Sequence, residues 1–529
     1  MRENLEIIKN CLQREKRSLA FLAAGVILTY GFMASHFSYS IDTEDMLAHQ
    51  LAFYPQWISI DRWGLVLTKK IFGVMNLVPG FESFLMIFWA LAAGSMMIVL
   101  FRHLSDLGGL SVCGLAFAVP VYFFASTPVV EKINFRLESA EVMFGMLLAV
   151  SALFFEWRWI EEKHFSDLVI SAVCLIWSFA TYQSFVAMYV CASIVSYLFV
   201  TLKNCERSPA ESFSVCVRLV LVFLIGLAGM KAGAAAVRAF TGVEATSYTD
   251  QMILWGRVPS EELIKGILRV IKDRLRLNQI WYNRTYPFTV AAVFVLGIKT
   301  AADFFRGRRR FGFVVPAMAV YLISPFFLLF IVGAVSPARS EWALPFTGAA
   351  GLLLAVSYAA EGLKQLSDEG KLPAFFRRNL SLILTGAACL LFLLCLRKDI
   401  VRANRLYYTE YNVKQQEAAM TEEILLEIRR SGAPDDARVA VIGSWSPLLN
   451  GSMLKGNAVG YSFYEWDAHI PGAVSKRVTG YWNSMGYDYR DPSEKEMARA
   501  EKAAARMPVW PADGSVVRME KDLVIVRLS

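Results

Sequence analysis

Histidine is scarce in this 529-residue chain. The five, His36, His49, His103, His164 and His469, show no zinc-ligand spacing. No glycine-rich phosphate loop or dinucleotide fingerprint occurs, so neither a nucleotide-driven pump nor a nucleotide-sugar domain is indicated. No Gly-x-Ser-x-Gly elbow marks a hydrolase nucleophile. The eight cysteines form no Cys-x-x-Cys pair, and none lies between residues 217 and 388 or after Cys395. The segments read below as outer loops therefore hold no disulfide framework. Charge is also thin, at 19% of residues against about 25% in soluble domains. The net charge of +8 is concentrated beside apolar runs, at Arg14, Lys16 and Arg17, at Arg306 to Arg310, and at Arg377 and Arg378. That placement marks cytoplasmic loops rather than a nucleic-acid surface, with anionic-lipid binding as the lesser reading.

What is present is apolar length. Hydrophobic residues make up 56% of the chain, and runs of about 18–20 recur from Leu19 to Leu396, each long enough to span a bilayer. A run in lipid must satisfy its own backbone hydrogen bonds, which makes it helical, and the shorter alternating segments of a barrel are missing. The pattern predicts an all-α polytopic membrane protein with about eleven transmembrane helices and a small C-terminal α/β domain. The spans fall near 19–37, 81–101, 109–125, 139–155, 167–182 and 184–202, then 213–234, 286–304, 313–332, 342–360 and 379–396. The first is too long and too poor in small residues at its end to be a cleaved signal.

Residues 1–18 are basic and read as cytoplasmic, the membrane domain covers 19–396, and eleven crossings leave 397–529 outside. The outer loop 38–80 carries an interfacial stretch, Leu65–Val78, with Lys69 and Lys70 on one side. The loop 238–285 carries an amphipathic helix, Glu261–Leu277. In the C-terminal domain Glu417–Arg430 reads as an amphipathic helix, Arg438–Ile442 as a buried strand and Asp522–Arg527 as a terminal strand. No repeat of 20–50 residues and no duplicated half appears, against a solenoid and against an inverted-repeat transporter.

Chemistry gathers at the ends of spans. Asp42-Thr-Glu44-Asp45 follows the first span, and helical spacing puts Asp42, Asp45 and His49 on one face. A carboxylate beside a low-dielectric surface becomes a better base for a sugar hydroxyl. The same acids suit a helix N-terminus, so capping is the competing reading. Three acids at this spacing do not demand a divalent metal. Arg339, in Ser336-Pro-Ala-Arg339-Ser-Glu341, suits a lipid-linked phosphate, or pairing with Glu341. Arg62, Lys132 and Arg136 are further outer cations, beside the acids Glu138 and Glu141. Tyr182 and Gln183 suit a sugar or a neighbouring helix backbone. Trp281, Tyr282 and Tyr286 suit stacking on a sugar or prenyl chain, whereas Trp57, Trp63 and Trp342 read as an aromatic belt.

The acids Asp42, Glu44 and Asp45, with Asp61-Arg-Trp-Gly64, Thr181-Tyr-Gln-Ser184 and Pro337-Ala-Arg339, give the chain a layout that resembles the Gtr type II family of membrane glucosyltransferases. That family modifies O-antigen and related bacterial surface glycans. The resemblance implies a GT-C-like fold in a bacterial inner membrane. The enzyme would take a sugar, by resemblance glucose, from an undecaprenyl-type polyprenyl phosphate and pass it to an outer-face glycan with inversion. No cofactor is implied. An acid of the first outer loop serves as base in that fold, which makes Asp42 or Asp45 the candidate and Glu44 the third choice. Family members pair adjacent acids with a nearby arginine; here the pair is Glu44-Asp45 and the next arginine is Arg62. By the same resemblance Arg339, Arg62, Arg136 and Lys132 hold donor phosphate, while Gln183, Tyr182, His49, Trp281 and Tyr282 meet sugar or acceptor. The competing classes are a flippase or transporter, and a polymerase or ligase, of lipid-linked glycans.

Overall fold

The computed structural model describes residues 2–112, 114–201, 208–276, 286–305, 314–334, 336–368 and 374–529. Apolar length becomes helix. Among the described residues seven helices are long and apolar enough to cross a membrane: Lys16–Ser35, Pro79–Gly108, Arg136–Glu162, Ser184–Thr201, Ala210–Thr241, Val314–Val332 and Ala343–Ser367. Two shorter apolar helices, Phe165–Thr181 and Tyr286–Ala302, accompany them. The run 379–396 begins a 57-residue helix, Ala374–Arg430. The expected boundary at 397 thus falls inside one continuous helix, whose last turns supply the amphipathic stretch read at Glu417–Arg430.

The span expected at 109–125 is not one helix. Residues 110–112 and 114–117 hold no regular helix, and Ala118–Ala125 and Thr127–Ile133 then meet at Ser126. Gly114 takes a positive φ of 71°, and Pro128, which lacks an N–H, opens the second helix where none is needed. Broken backbone among apolar helices requires protein on all sides, and every residue from Ala118 to Met143 is buried.

The first loop folds into three helices, Thr43–Ala48, Gln50–Ser59 and Trp63–Phe72. The last was expected to lie in the interface with Lys69 and Lys70 together. Lys70 is exposed, but Lys69 is fully buried, donating to Glu141 at 3.0 Å and lying 3.7 Å from Glu82. Its partners sit in the first turns of two long helices, which draws Trp63–Phe72 into the bundle. Gly64 permits that approach, because a Cβ there would stand 2.7 Å from Trp177 O and 2.9 Å from Ala180 Cβ. Trp57 and Trp342, read as belt residues, are also interior. Trp342 packs edge-on against Phe123, Tyr182 and Phe185 at 5.5–5.8 Å.

The C-terminal region holds a three-stranded sheet of order β1-β3-β2, with β1 Arg438–Ile442, β2 Val516–Glu520 and β3 Leu523–Arg527. β1 runs parallel to β3 and β2 antiparallel to it. Helices Ala473–Ser484 and Glu494–Ala504 pack on β1, and the first of them also packs on Thr43–Ala48. The region is fastened to the bundle by buried carboxylates. Glu131 accepts the N–H groups of Asn457 at 2.6 Å and Ala458 at 2.9 Å, and Glu410 accepts that of Gly460.

Candidate functional site

Asp42 ends the approach to the first-loop helices with φ 69° and ψ −23°, a left-handed conformation that Asp tolerates better than most residues. It occupies the N-cap of Thr43–Ala48, yet its side chain makes no capping hydrogen bond. Its carboxylate turns instead to Arg477 of helix Ala473–Ser484. Arg477 Nη1 donates to Asp42 Oδ1 and to Glu44 Oε1, both at 2.9 Å, and Nε donates to Asp467 Oδ2 at 3.3 Å. Burial opposes the Arg477 charge, but Asp42 and Glu44 together raise its pKa.

The three acids differ in setting. The Glu44 side chain is 2% exposed, against 43% for Asp42 and 45% for Asp45. Burial drives the Glu44 carboxyl up to about 8, with Arg477 opposing and Asp42 adding. Asp45 faces His49 one helical turn on, Nδ1 to Oδ1 at 3.1 Å. Capping, the competing reading, does not describe Asp42.

The cations form a second group. Arg62 donates from Nε to Gln183 Oε1 at 3.0 Å and from Nη1 to Glu138 Oε2 at 3.2 Å. Lys132 donates to the other oxygen of Glu138. Both cations address the Tyr182 ring, Lys132 Nζ at 4.2 Å and Arg62 Cζ at 5.0 Å from its centroid. Arg339 lies over Phe135, Cζ 5.0 Å from the ring centroid. Pairing with Glu341 does not occur, because Arg274 Nη2 donates to both Glu341 oxygens at 2.8 and 3.1 Å. Among the described residues no carboxylate salt-bridges Arg339. Arg62, Lys132 and Arg339 join Glu138 in the cavity lining, which leaves this group electropositive, and the charge of Arg339 also acts on the buried Glu131.

These groups meet in one cavity of about 780 Å³, within the range of about 300–1,000 Å³ typical of small-molecule sites. Asp42, Glu44, Asp45 and His49 line it together with Arg62, Lys132, Tyr182 and Arg339. Two expected ligand groups do not reach it. Arg136 is fully buried, donating to Ser83 Oγ at 2.6 Å and to Met33 O at 3.0 Å, and so braces the bundle. Gln183 is engaged by Arg62 and donates to Ile60 O at 2.7 Å, which makes it a strut for Arg62. Trp281 and Tyr282 lie outside the described residues. The motif Asp61-Arg-Trp-Gly64 is divided in use. Asp61 accepts from Lys231 at 2.6 Å and from Arg238, and Trp63 Nε1 donates to Met230 O at 3.1 Å. Only Arg62 turns to the cavity. Sequence reasoning missed Arg477, Asp467, Lys476 and Asp491, which the C-terminal region contributes to the lining. The one hint was a first-loop acid cluster with no cation beside it in sequence.

Among the described residues no three His, Cys, Asp or Glu side chains are arranged to hold a metal ion. Oxygens of both Asp42 and Glu44 are already turned to a guanidinium. The arrangement can hold an anion at its cations and take up a proton at its acids.

Apolar helices of spanning length packed in one bundle define a multi-pass membrane protein. The chain belongs to the family described as Glucosyl transferase GtrII, whose model matches residues 31–356. That match contains every cavity residue from Asp42 to Arg339 and ends before the C-terminal contributors. Membership implies a transferase acting on a sugar donor and an acceptor. A comparison with curated proteins finds no match.

Proposed function

We propose that the protein transfers glucose from a polyprenyl phosphate to a surface glycan such as O-antigen, on the outer side of a bacterial inner membrane. In this reading the bundle is a GT-C-like domain with the N-terminus inside. The observation that carries it is that Arg339, held over Phe135 with no carboxylate salt bridge among the described residues, shares one cavity with Asp45.

Arg339, assisted by Lys132 and Arg62, holds the donor phosphate and stabilises the charge that grows on it as the glycosidic bond breaks. Asp45 is the base. Asp42 is tied to Arg477, whose Nη1 donates to its Oδ1 at 2.9 Å, so that oxygen is already engaged. Glu44 is nearly inaccessible to an acceptor. The acceptor hydroxyl oxygen attacks the anomeric carbon, the bond to the phosphate oxygen breaks with its electron pair, and the hydroxyl proton passes to Asp45. One displacement inverts the anomeric centre. The fully buried groups around Lys69 sit in the first turns of their helices rather than at mid-span, which suits a surface site better than a transport path.

The test is a purified protein given radiolabelled polyprenyl-phosphate glucose and isolated acceptor glycan. Labelled glycan of inverted anomeric configuration is expected. Lipid crossing liposome membranes without covalent transfer would replace this reading with a flippase.

A further inference from the structure

The site cavity has a neighbour. A second cleft of about 590 Å³ lies on the C-terminal region, between the start of helix Ala473–Ser484 and helix Glu494–Ala504. Ala473, Lys476 and Asp491 line both spaces. The two thus adjoin at these three residues. The second cleft differs in chemistry from the first. Lys476 and Asp491 with Glu494 and Glu501 supply ammonium and carboxylate groups, and Pro471, Pro492 and Met497 supply small apolar patches. One cation against three carboxylates gives it a negative balance, opposite in sign to the group around Arg339.

We infer that this second cleft is the binding groove for the acceptor chain, an uncharged polyhydroxyl oligosaccharide that runs over Lys476 and Asp491 into the transfer cavity. The inference rests on the transferase reading above and adds the place and class of the acceptor. Carboxylates and an ammonium exchange hydrogen bonds with sugar hydroxyls, and the proline and methionine surfaces meet the C–H faces of sugar rings. The carboxylate excess repels a phosphate- or uronate-rich chain and keeps the lipid phosphate with the cations of the first cavity. A space of this size beyond the reacting centre suits a chain of sugars rather than one ring. Helix Glu494–Ala504 and the second cleft lie beyond residue 356, so the groove is built by a part of the chain that the family match leaves out.

Ala498, exposed on the cleft side of Glu494–Ala504, allows a steric test that leaves the cavity acids and cations untouched. Transfer is measured with the isolated neutral surface polysaccharide and with a single repeat unit released from it. For Ala498→Trp the ratio of KM for polymer to KM for single repeat is expected to rise about fivefold or more, the scale of one or two lost hydrogen bonds. Lys476→Ala should raise it in the same direction, and Arg499→Ala, outside the cleft lining, should leave it unchanged. An unchanged ratio in both Ala498→Trp and Lys476→Ala overturns the groove while leaving the transferase reading intact. Equal KM changes for a uronate-rich polymer and the neutral one overturn the assigned class. Absence of transfer to either acceptor by the unaltered protein overturns the transferase reading itself.

Discussion

Glu44 spends its pKa shift on the folded state alone. Its carboxyl rises from 4.5 to about 8 on burial, so between those values the folded chain keeps a proton that the unfolded chain has lost. The associated stability is complete below about pH 4.5 and disappears as pH rises to about 8. Glu44→Gln removes that dependence. The thermal midpoint of the unaltered protein should fall relative to Glu44→Gln as pH is raised across this window, read by thermal unfolding in detergent; a constant difference would contradict the assignment. Arg477 is the residue that gathers the acids. Arg477→Ala should lower transfer about tenfold or more, from the loss of charge-assisted hydrogen bonds, with donor affinity little changed. Arg477→Lys should not restore it, because one ammonium cannot match a planar fork that serves Asp42, Glu44 and Asp467 at once.

At the scale of elements, the first loop is held by close packing rather than by immersion in an interface. Gly64→Ala places a methyl group against the Trp177 carbonyl and the Ala180 methyl. It should cost about 1–3 kcal/mol by overpacking and lower transfer as well, because Arg62 is two residues away; unfolding curves and the transfer assay together check it. The sequence made the helices legible because apolar length and periodicity are local properties. The strands Arg438–Ile442 and Leu523–Arg527 were legible for the same reason. The break between 109 and 133 was not, since an apolar run reads alike whether lipid or protein surrounds it. Nor was the inward turn of Lys69, whose partners Glu82 and Glu141 lie on other helices.

At the scale of the whole molecule, the C-terminal region closes the cavity that the bundle opens. The acids near residue 42 and Arg339 were legible as ionisable groups at span ends, whereas Arg477, more than 430 residues from Asp42, had no local signal. One attachment between the two parts is Glu131, which receives two backbone N–H groups of the loop at 457–458. From that loop Asn457 Oδ1 accepts the N–H of Ala338, next to Arg339, at 3.3 Å. Glu131→Ala should cost about 1–3 kcal/mol for each N–H left buried without an acceptor. It should also raise the KM for donor, because the Arg339 loop loses its support.

Division of labour across one cavity is measured most directly by pairing donor affinity with turnover in two variants. Asp45→Asn should bind polyprenyl-phosphate glucose within about twofold of the unaltered protein while losing about 100-fold or more in transfer, the scale of a general base. Arg339→Ala should weaken donor binding by about 10–100-fold, the scale of hydrogen bonds to a charged group. Undiminished transfer by Asp45→Asn, or undiminished donor binding by Arg339→Ala, would contradict the account.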